Sequence, residues 1–466
     1  MDDKQKRNLV LFNACLSTFM ATVDGSIVNI TLPVISAFFK VNINDVQWVV
    51  TSYLLAISAL LLVWGRISDL YGRKYLFAAG MGIFTVGSLF CGLSSSFAFL
   101  VLSRVIQALG ASIMMALGQG IVTSIFPSNE RGKALGMIGM VVAMGSLVGP
   151  SLGGVLVNWL GWRSIFYINI PIGIIGIVLT FLVMPKDQEL PQVKIFDYKG
   201  AALFIAGILL LFIGLLGKQQ GSISTLLMAL MVAAALLLIA GFIMYESREK
   251  NPLVNLELFN SKVFSIGLLC AYLSFCSMFA YTFFMPFYLQ YALKLNVMHA
   301  GLMMSFYPMT MALVAPISGW LSDKITYKPL TIIGLSINTV TLGLMSTLST
   351  TSSRLFIGVL IVLLGAGGSI FQSPNNSSVM GAVPRDKLGT AGSINAFFRN
   401  FGMVSGTTIA VIIYTMVTKL GIESISGSSF DSALFLKGFR VVLINAALMT
   451  LLAVLLTIRR STLKEK

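Results

Sequence analysis

Long apolar runs follow one another along the whole of this 466-residue chain, with short charged segments between them. A hydrocarbon core about 30 Å thick is crossed by about 20 residues of α-helix. A helix also pairs its own backbone groups, as the lipid interior requires. Hydrophobic residues make up 56% of the chain and charged residues only 11%, so a soluble domain could not bury this much apolar surface. The sequence therefore predicts an all-α, polytopic membrane protein.

Hydropathy predicts fourteen membrane-spanning helices, which we number as spans 1 to 14. Their predicted ranges are 8–36, 46–66, 75–93, 97–125, 133–157, 164–184, 199–217, 223–245, 263–290, 299–321, 329–348, 353–379, 390–416 and 437–458. Two more polar segments, 185–198 and 246–262, flank spans 7 and 8. We therefore expect a six-helix bundle over 1–184, a linker with two extra spans over 185–262, and a second six-helix bundle with a tail over 263–466.

The basic residues determine the predicted orientation. The chain has 32 Lys and Arg against 17 Asp and Glu, and most of the basic residues fall in alternate loops, on the side of the amino terminus. This positive-inside bias places both termini in the cytoplasm. It also accounts for the net charge of +15, so we expect no nucleic acid as a partner. The charged start resembles that of a signal peptide, but the apolar run after it is too long and is kept as span 1.

Two short segments, 65–74 and 319–328, are weakly alike. Each has a Gly, then Ser-Asp, then basic residues, and each follows the second span of a six-span set. This similarity predicts that spans 1–6 and 9–14 form parallel repeats, with spans 7 and 8 inserted between them. Two repeats around a site near the middle of the bilayer are typical of a transporter.

One acidic residue lies well inside an apolar run, whereas the others fall in loops, tails or helix ends. Asp24 is about 15 residues into span 1, roughly 22 Å into the bilayer and beyond its midplane. An ionisable side chain is costly there and is a functional residue by default. Arg104 lies in span 4, roughly 10 Å below the outer surface and thus at nearly the same level. A guanidinium and a carboxylate at matched depth are natural partners.

This pair suggests proton-coupled transport. The guanidinium of Arg104 favours the ionised carboxylate of Asp24, whereas burial favours the neutral acid, so a modest rearrangement would bind or release a proton. A cationic substrate would compete for the same carboxylate. Protonation from outside would then expel the substrate, and deprotonation toward the cytoplasm would reset the site. The alternative is a structural pair that only packs the helices.

Four motifs, in their order and spacing, resemble the major facilitator superfamily and, within it, the fourteen-helix drug:proton antiporter branch. They are 24–33 in span 1, 65–74 after span 2, 104–110 in span 4 and 145–154 in span 5, and the segment 161–171 entering span 6 is also similar. The resemblance covers essentially the whole chain. It implies two six-helix bundles with two inserted helices, and multidrug efflux that gives drug resistance at a bacterial plasma membrane. It also implies that the span-4 arginine takes part in proton coupling.

The glycines of span 5 predict a helix that moves against its neighbours. Gly145, Gly149 and Gly154 allow close approach of neighbouring helices, and Pro150 removes a backbone hydrogen bond at a bend. Small residues at this spacing are common in membrane helices. The longer string around Gly149 and Pro150 resembles the antiporter motif, which favours export over uptake.

The 65–74 segment predicts a cytoplasmic latch. Gly65, Asp69 and Arg73 are its central residues, with Arg66 and Lys74 as further ion-pair partners of the carboxylate. The alternative is a simple positive-inside loop. The second copy, at 319–328, lacks the second Gly and the Arg pair, which argues against a latch there.

The second half of the chain offers aromatic and amide side chains and no buried acid. Aromatic faces suit flat or cationic organic molecules, methionines form adaptable walls, and amides beside a proline in a helix line polar cavities. The predicted substrate-binding residues are Asp24, Met115, Tyr281, Phe284, Phe306, Gln372, Asn375, Asn376, Asn395 and Phe398. The lack of a second membrane acid favours one proton-linked site over dicationic substrates.

Several other functions lack the residues that they need. The chain has one His and four Cys, and all four Cys lie in apolar spans, so we expect neither a metal site nor a disulfide framework. The ATP-binding motif G-x-x-x-x-G-K-[ST] does not occur, nor does a nucleophile–base constellation of an enzyme. We expect no cofactor. The expected partners are protons, a small-molecule drug and the lipid bilayer, and we expect a monomer.

The leading interpretation is a proton-coupled antiporter that exports amphipathic, cationic or zwitterionic drugs by alternating access. Export of one narrower substrate, such as tetracycline or a metabolite, is an alternative within the same class. A channel is an alternative of a different class, and a lipid-handling or scaffolding membrane protein is another. Saturable flux with counter-movement of protons distinguishes an antiporter from a channel.

Overall fold

A computed structural model of the chain describes residues 3–41, 43–185, 195–219, 223–420 and 431–461, and these residues form helices and connecting segments without strands. The first eight helices are α1 Asp3–Phe39, α2 Ile43–Val46, α3 Trp48–Tyr71, α4 Arg73–Leu93, α5 Phe97–Ile125, α6 Arg131–Leu160, α7 Ser164–Tyr167 and α8 Asn169–Val183. The others are α9 Tyr198–Gln219, α10 Thr225–Glu246, α11 Lys262–Phe287, α12 Val297–Ile325, α13 Tyr327–Met345, α14 Arg354–Gly381, α15 Leu388–Thr418 and α16 Ser432–Ser461. Short 3₁₀ helices cover Leu256–Asn260 and Arg385–Lys387.

Fourteen segments of the described residues are long and apolar enough to cross a membrane, which confirms the predicted all-α membrane fold. Two predicted spans are less regular than expected. Span 6 is divided into α7 and α8 at Ile168, because Pro171 has no amide hydrogen to donate to the carbonyl of Tyr167. Span 9 ends in a π-helical turn, Tyr288–Ala292, just after Pro286 inside α11.

The helices divide into two compact units by their packing. The first unit comprises Met1–Pro127, Met144–Leu258 and Val383–Phe397. In it, α5 packs against α1, α3 and α4, while α8 packs against α1 and α4. The helices predicted as an insertion, α9 and α10, pack against each other, and α9 also packs against α3. Buried apolar side chains of α3, α4 and α5 form a core cluster of this unit.

The second unit comprises Ser128–Ala143, Phe259–Ala382 and Phe398–Lys466. Its helix α16 packs against α11 and α13, and α14 packs against α11, α12 and α13. Aromatic rings pack against one another in its core: Tyr288 and Phe439 stack with ring centres 5.2 Å apart, and the ring centre of Phe284 lies 5.1 Å from that of Tyr414. These units group helices by contact, whereas the predicted boundaries at 184 and 262 group them by repeat. The predicted domain division therefore stays a prediction.

The contact between α4 and α5 depends on glycine. A Cβ atom at Gly87 would lie 2.5 Å from the backbone nitrogen of Gln107 and 2.6 Å from its Cα, so neither backbone has room to move aside. A Cβ at Gly82, on the same helix, would meet nothing nearer than Ile177 at 3.9 Å.

We expect Gly87→Ala to destabilise the purified protein by about 1–3 kcal/mol, because it overpacks a helix contact. Thermal unfolding in detergent, followed by circular dichroism, measures this. Gly82→Ala is the matched control and should be neutral or slightly stabilising, since alanine favours helix. Equal melting temperatures for the two variants would contradict the close approach of α4 and α5.

Candidate functional site

The structure brings the two ionisable residues predicted for spans 1 and 4 into direct contact. Arg104 on α5 donates from Nη1 to Oδ2 of Asp24 on α1 at 2.6 Å. Neither side chain has any exposed surface. An ion pair this deeply buried needs further hydrogen bonds to offset the cost of removing both charges from water.

Two amides complete the coordination of the carboxylate. Gln107 donates from Nε2 to Oδ1 of Asp24 at 2.8 Å, and Asn169 on α8 donates from Nδ2 to the same oxygen at 3.0 Å. Both amides also donate to Ser88 Oγ on α4, at 2.7 and 3.3 Å. The carboxylate therefore accepts three hydrogen bonds from three side chains, all within the first unit.

The guanidinium of Arg104 has its own set of partners. Its Nε donates to the backbone carbonyl of Val49 on α3 at 2.9 Å, and its Nη1 also donates to Oε1 of Gln107 at 2.5 Å. The ring of Tyr53 lies 4.1 Å from the guanidinium carbon, so its face adds a cation–π contact. Among the described residues, Arg104 Nη2 and Tyr53 Oη have no hydrogen-bond partner. The site therefore retains hydrogen-bonding capacity.

Four residues of this network were not predicted from the sequence: Gln107, Asn169, Ser88 and Tyr53. A signal existed for two of them. Gln107 follows Arg104 by three residues and so lies on the same face of the helix, and Asn169 belongs to the 161–171 motif. Ser88 and Tyr53 carried no comparable signal, because hydroxyl groups are frequent in membrane helices.

The predicted latch residue Asp69 binds the amino end of another helix. Its carboxylate accepts from the backbone N–H groups of Gly389 and Thr390 at 2.9 and 2.8 Å, and from Thr390 Oγ1 at 2.7 Å. These groups begin α15, so the carboxylate satisfies free amides at the positive end of the helix dipole. A Cβ at Gly65 would overlap the side chain of Ser393, which shows how closely α3 and α15 approach.

The basic residues of the latch have separate roles. Arg73 lies 3.5 Å from Asp69, as predicted. Lys74 instead donates to the backbone carbonyls of Phe181 and Met184 at 2.9 and 2.6 Å. Arg66 has its Nε buried without a hydrogen-bond partner among the described residues. The expectation that Arg66 and Lys74 pair with Asp69 is therefore not met.

The second copy of the motif makes the same kind of contact, contrary to expectation. Asp323 on α12 accepts from the backbone N–H groups of Gly132 and Lys133 at 2.8 and 2.9 Å, which begin α6. The expectation was based on the missing Gly and Arg pair. A carboxylate alone is enough to cap a helix amino terminus, however, and the Ser-Asp pair was the relevant signal.

The glycines of α6 differ in what they contact. A Cβ at Gly145 would lie 2.9 Å from Thr22 Cβ, and one at Gly149 would lie 3.2 Å from the backbone nitrogen of Ile27. Both contacts are on α1, on either side of Asp24 along the chain. Gly154 has nothing within 4 Å of such an atom, and the helix continues on both sides of Pro150.

The predicted substrate residues do not form one cluster within either unit. In the first unit, Asn395 donates to Gln119 Oε1 at 2.7 Å and Met115 packs partly buried against the core. In the second unit, the buried residues Tyr281 and Phe284 belong to the aromatic core. The remaining members are in the second unit, where Phe306 is 41% exposed, Asn375 is buried, and Gln372, Asn376 and Phe398 are partly buried.

Two of these amides have identifiable surroundings. Asn375 donates to the backbone carbonyl of Gly267 at 3.0 Å and accepts from Arg460 at 2.9 Å, so it ties α11, α14 and α16 together. Gln372 lines a small cavity of the second unit whose other polar lining residues are Ser274, Ser277, Tyr307, Asn338 and Thr450. This lining carries hydrogen-bonding groups but no charge, which suits an uncharged group or a water molecule.

Comparison with known proteins decides the family. Residues 14–407 match the Major Facilitator Superfamily. The chain belongs to this superfamily. As a member of it, the chain is a membrane transporter and not an enzyme. The resemblance that the motifs indicated is thereby confirmed.

Relatives in this superfamily are named for different substrates. The riboflavin transporter RibZ of Clostridioides difficile (strain 630) is 39% identical over 399 residues, which are 86% of each chain. The multidrug transporter protein MdtP of Bacillus subtilis (strain 168) is 28% identical over 408 residues, 87% of this chain and 75% of the other. The multidrug resistance protein Stp of Mycobacterium tuberculosis (strain CDC 1551 / Oshkosh) is 31% identical over 86% of this chain and 74% of its own.

Solved structures of the superfamily show the same fold. The proton:xylose symporter XylE, bound to 6-bromo-6-deoxy-D-glucose, gives a TM-score of 0.69 over 98% of this chain and 96% of that chain. The human organic anion transporter MFSD10 gives 0.68 over 97% and 99%. Each is 14% identical to this chain, so these likenesses concern the fold alone.

We expect the buried ion pair to show strong thermodynamic coupling. Asp24→Leu and Arg104→Leu should each cost about 3–5 kcal/mol, because each leaves one buried charge without its partner. The double variant should cost clearly less than the sum of the two, since no unpaired charge remains. The measurement is thermal unfolding in detergent of the wild type, the two single variants and the double variant, which together form a double-mutant cycle.

The control for this cycle is a neutral pair elsewhere in the same unit. Asn13 on α1 donates to Thr180 Oγ1 on α8 at 2.8 Å, and both are buried. The cycle with Asn13→Leu and Thr180→Val should give a coupling of about 1 kcal/mol. A coupling for the ion pair no larger than this value would contradict its proposed energetic weight.

Proposed function

We propose that this chain is a proton-coupled antiporter that exports amphipathic small organic molecules by alternating access. The single observation that supports this most is the Asp24–Arg104 pair, which has no exposed surface and a 2.6 Å hydrogen bond. An acid retained at this depth is costly, and such acids in transporters relay protons or bind ions. The substrate class comes from the resemblance to the drug:proton antiporter branch and from the relatives named as multidrug transporters.

Protonation of Asp24 is the proposed switch. The ionised carboxylate is held by Arg104, Gln107 and Asn169, so separating α1 from α5 would strand two charges. The neutral acid loses the ion pair and keeps its neutral hydrogen bonds, so the same separation costs less. Proton binding thus favours a second arrangement of the helices, and proton release favours the first.

Exchange of that proton requires movement, because Asp24 has no exposed surface in this conformation. The proposed moving neighbour is α6, which contacts α1 through Gly145 and Gly149 on either side of the acid along the chain. We assign Asp24 to proton exchange and substrate contacts to other residues, since both carboxylate oxygens are already occupied. The helix caps made by Asp69 and Asp323 would break and re-form during the same cycle.

Drug-induced proton movement in everted membrane vesicles tests this proposal. Asp24→Asn should abolish both proton movement and uphill drug transport, because the amide cannot take up or release the proton. Arg104→Lys keeps the positive charge but loses the planar guanidinium. It should reduce the rate of drug-induced proton movement by about tenfold, which corresponds to about 1.4 kcal/mol. Asn13→Leu, which removes a neutral buried hydrogen bond on the same helix, is the control and should leave coupling intact.

Two outcomes would refute the assignment. One is an Asp24→Asn protein that still concentrates drug with normal proton exchange. The other is a wild-type flux that does not saturate and moves no protons, which would indicate a channel. Expression and thermal stability of each variant, measured in parallel, separate a loss of coupling from a loss of fold.

A second candidate is transport of one flat, uncharged metabolite of the riboflavin kind. Two observations favour it. The riboflavin transporter RibZ is 39% identical over 86% of each chain, a higher identity than that of MdtP or Stp. In addition, the sequence from 263 to 422 contains only Asp323 and Asp386 as acids, while aromatic and amide side chains are abundant there. A binding site made of aromatic and amide side chains suits ring stacking and neutral hydrogen bonds better than the binding of a cation.

Direct transport measurements with two probes separate the candidates. In energised everted vesicles we expect saturable, proton-dependent movement of ethidium, a flat organic cation, in the export direction. Excess riboflavin should then leave ethidium transport unchanged. Saturable movement of radiolabelled riboflavin without any movement of ethidium would instead establish the second candidate, and right-side-out vesicles would show whether it runs inward.

A further inference from the structure

A cavity in the first unit lies apart from the Asp24 site and is lined by basic side chains. Its volume is about 120 Å³. The polar lining residues are Arg66, Lys250, Asn255, Lys387 and Thr390, with a proline and a leucine completing the wall. We call this cavity the basic pocket. Three of its five polar residues carry a positive charge, and none of its lining residues is acidic.

Three separate parts of the chain converge on the basic pocket. Arg66 is on α3, five residues before its end, and so about 7.5 Å inside that end. Lys250 and Asn255 belong to the segment between α10 and the 3₁₀ helix at Leu256–Asn260. Lys387 ends the 3₁₀ helix just before α15, and Thr390 lies in the first turn of α15. The pocket is thus level with the helix ends that the charge distribution predicts to be cytoplasmic, where lipid phosphates are found.

Asp69, Glu246 and Glu257 contact lining residues of the basic pocket, and the first two are held by backbone amides. Asp69 caps Gly389 and Thr390, and Glu246 accepts from the backbone N–H groups of Leu253 and Val254 at 3.3 and 3.1 Å. Glu257 lies 3.9 Å from Lys387 but is 81% exposed, so this pair contributes little.

Among the lining residues, Arg66 has a buried hydrogen-bond donor that lacks an acceptor within the described part of the chain. Its Nε is buried and has no hydrogen-bond partner among the described residues. A buried donor without an acceptor costs free energy, and three like charges around one cavity repel one another. An anion in the basic pocket removes both costs. Phosphate fits best, because a guanidinium can donate two parallel hydrogen bonds to it.

We propose that the basic pocket binds a phosphate group, supplied either by the headgroup of an anionic lipid or by a soluble phosphate. Basic pockets between helices at the cytoplasmic face are a known setting for lipid headgroups. The bound phosphate would bridge Arg66 on α3, Lys387 before α15 and Lys250 in the linker. Since Thr390 also holds the Asp69 cap, occupancy would stabilise the capped arrangement of α3 and α15.

The test measures binding by the full-length protein in nanodiscs. In the first arm, the discs contain phosphatidylcholine only, and inorganic phosphate is titrated against chloride at constant ionic strength while the melting temperature is followed. In the second arm, the buffer contains no phosphate, and phosphatidylglycerol replaces part of the phosphatidylcholine. Native mass spectrometry then counts the phosphatidylglycerol molecules retained per protein.

The variants are Arg66→Gln and Lys387→Gln, with Arg248→Gln as the matched control. Arg248 is exposed and lies two residues from Lys250, but it does not line the basic pocket. We expect each pocket variant to weaken apparent affinity by about tenfold in the arm that shows binding, and the control to keep wild-type affinity. Lys387→Gln carries the test by itself if Arg66→Gln does not fold.

The arm that responds identifies the source of the phosphate. A response to phosphatidylglycerol supports a lipid headgroup, a response to inorganic phosphate supports a soluble anion, and both support the proposal. It is overturned if neither arm responds in the wild type, or if Arg248→Gln weakens binding as much as the pocket variants. Because the readout is binding and not transport, this result is independent of whether Asp24 exchanges protons.

Discussion

The ion pair between Asp24 and Arg104 is the interaction on which the arrangement of the first unit depends. Neither charge is tolerable in an apolar interior without the other, and their remaining hydrogen-bonding groups need partners too. Those partners come from α3, α5 and α8, and Ser88 on α4 in turn accepts from the two amides. Five helices are thereby tied to one pair of charges. Any rearrangement that separates α1 from α5 must break this ion pair, and the proposed protonation of Asp24 reduces the charges stranded by that separation from two to one.

The sequence could predict the charged half of this site but not the neutral half. Asp24 and Arg104 stand out because charge inside an apolar run is costly wherever the chain goes, so their depth can be read along one dimension. Gln107, Asn169 and Ser88 are ordinary polar residues of membrane helices. Their importance lies in distances of 2.7–3.3 Å between residues of four helices, and these distances cannot be derived from spacing along the chain. The spans were predictable for the same reason as the charges, since hydropathy is a local property.

The two helix caps show which residues of the repeated motif matter for the contact. Asp69 and Asp323 do the same physical work, since each carboxylate accepts from two backbone amides at a helix amino terminus. The basic residues that distinguish the two copies are not needed for that work. The carboxylate of Asp69 binds backbone amides and Arg73, so Arg66 does not pair with it. A residue predicted to serve the latch therefore becomes available to line the basic pocket beside it.

The proposed assignment of the proton to Asp24 and of the substrate to other residues is based on the same network. A cation that competed directly for Asp24 would have to displace three hydrogen-bond donors, one of them charged, from a site with no exposed surface. A proton needs no such displacement, because it adds to an oxygen and weakens only the charged contact. Coupling can then act through helix separation and not through shared ligands. Under this proposal, a cation or a neutral flat molecule could be carried with the same proton site, and the aromatic and amide residues elsewhere would decide the substrate range.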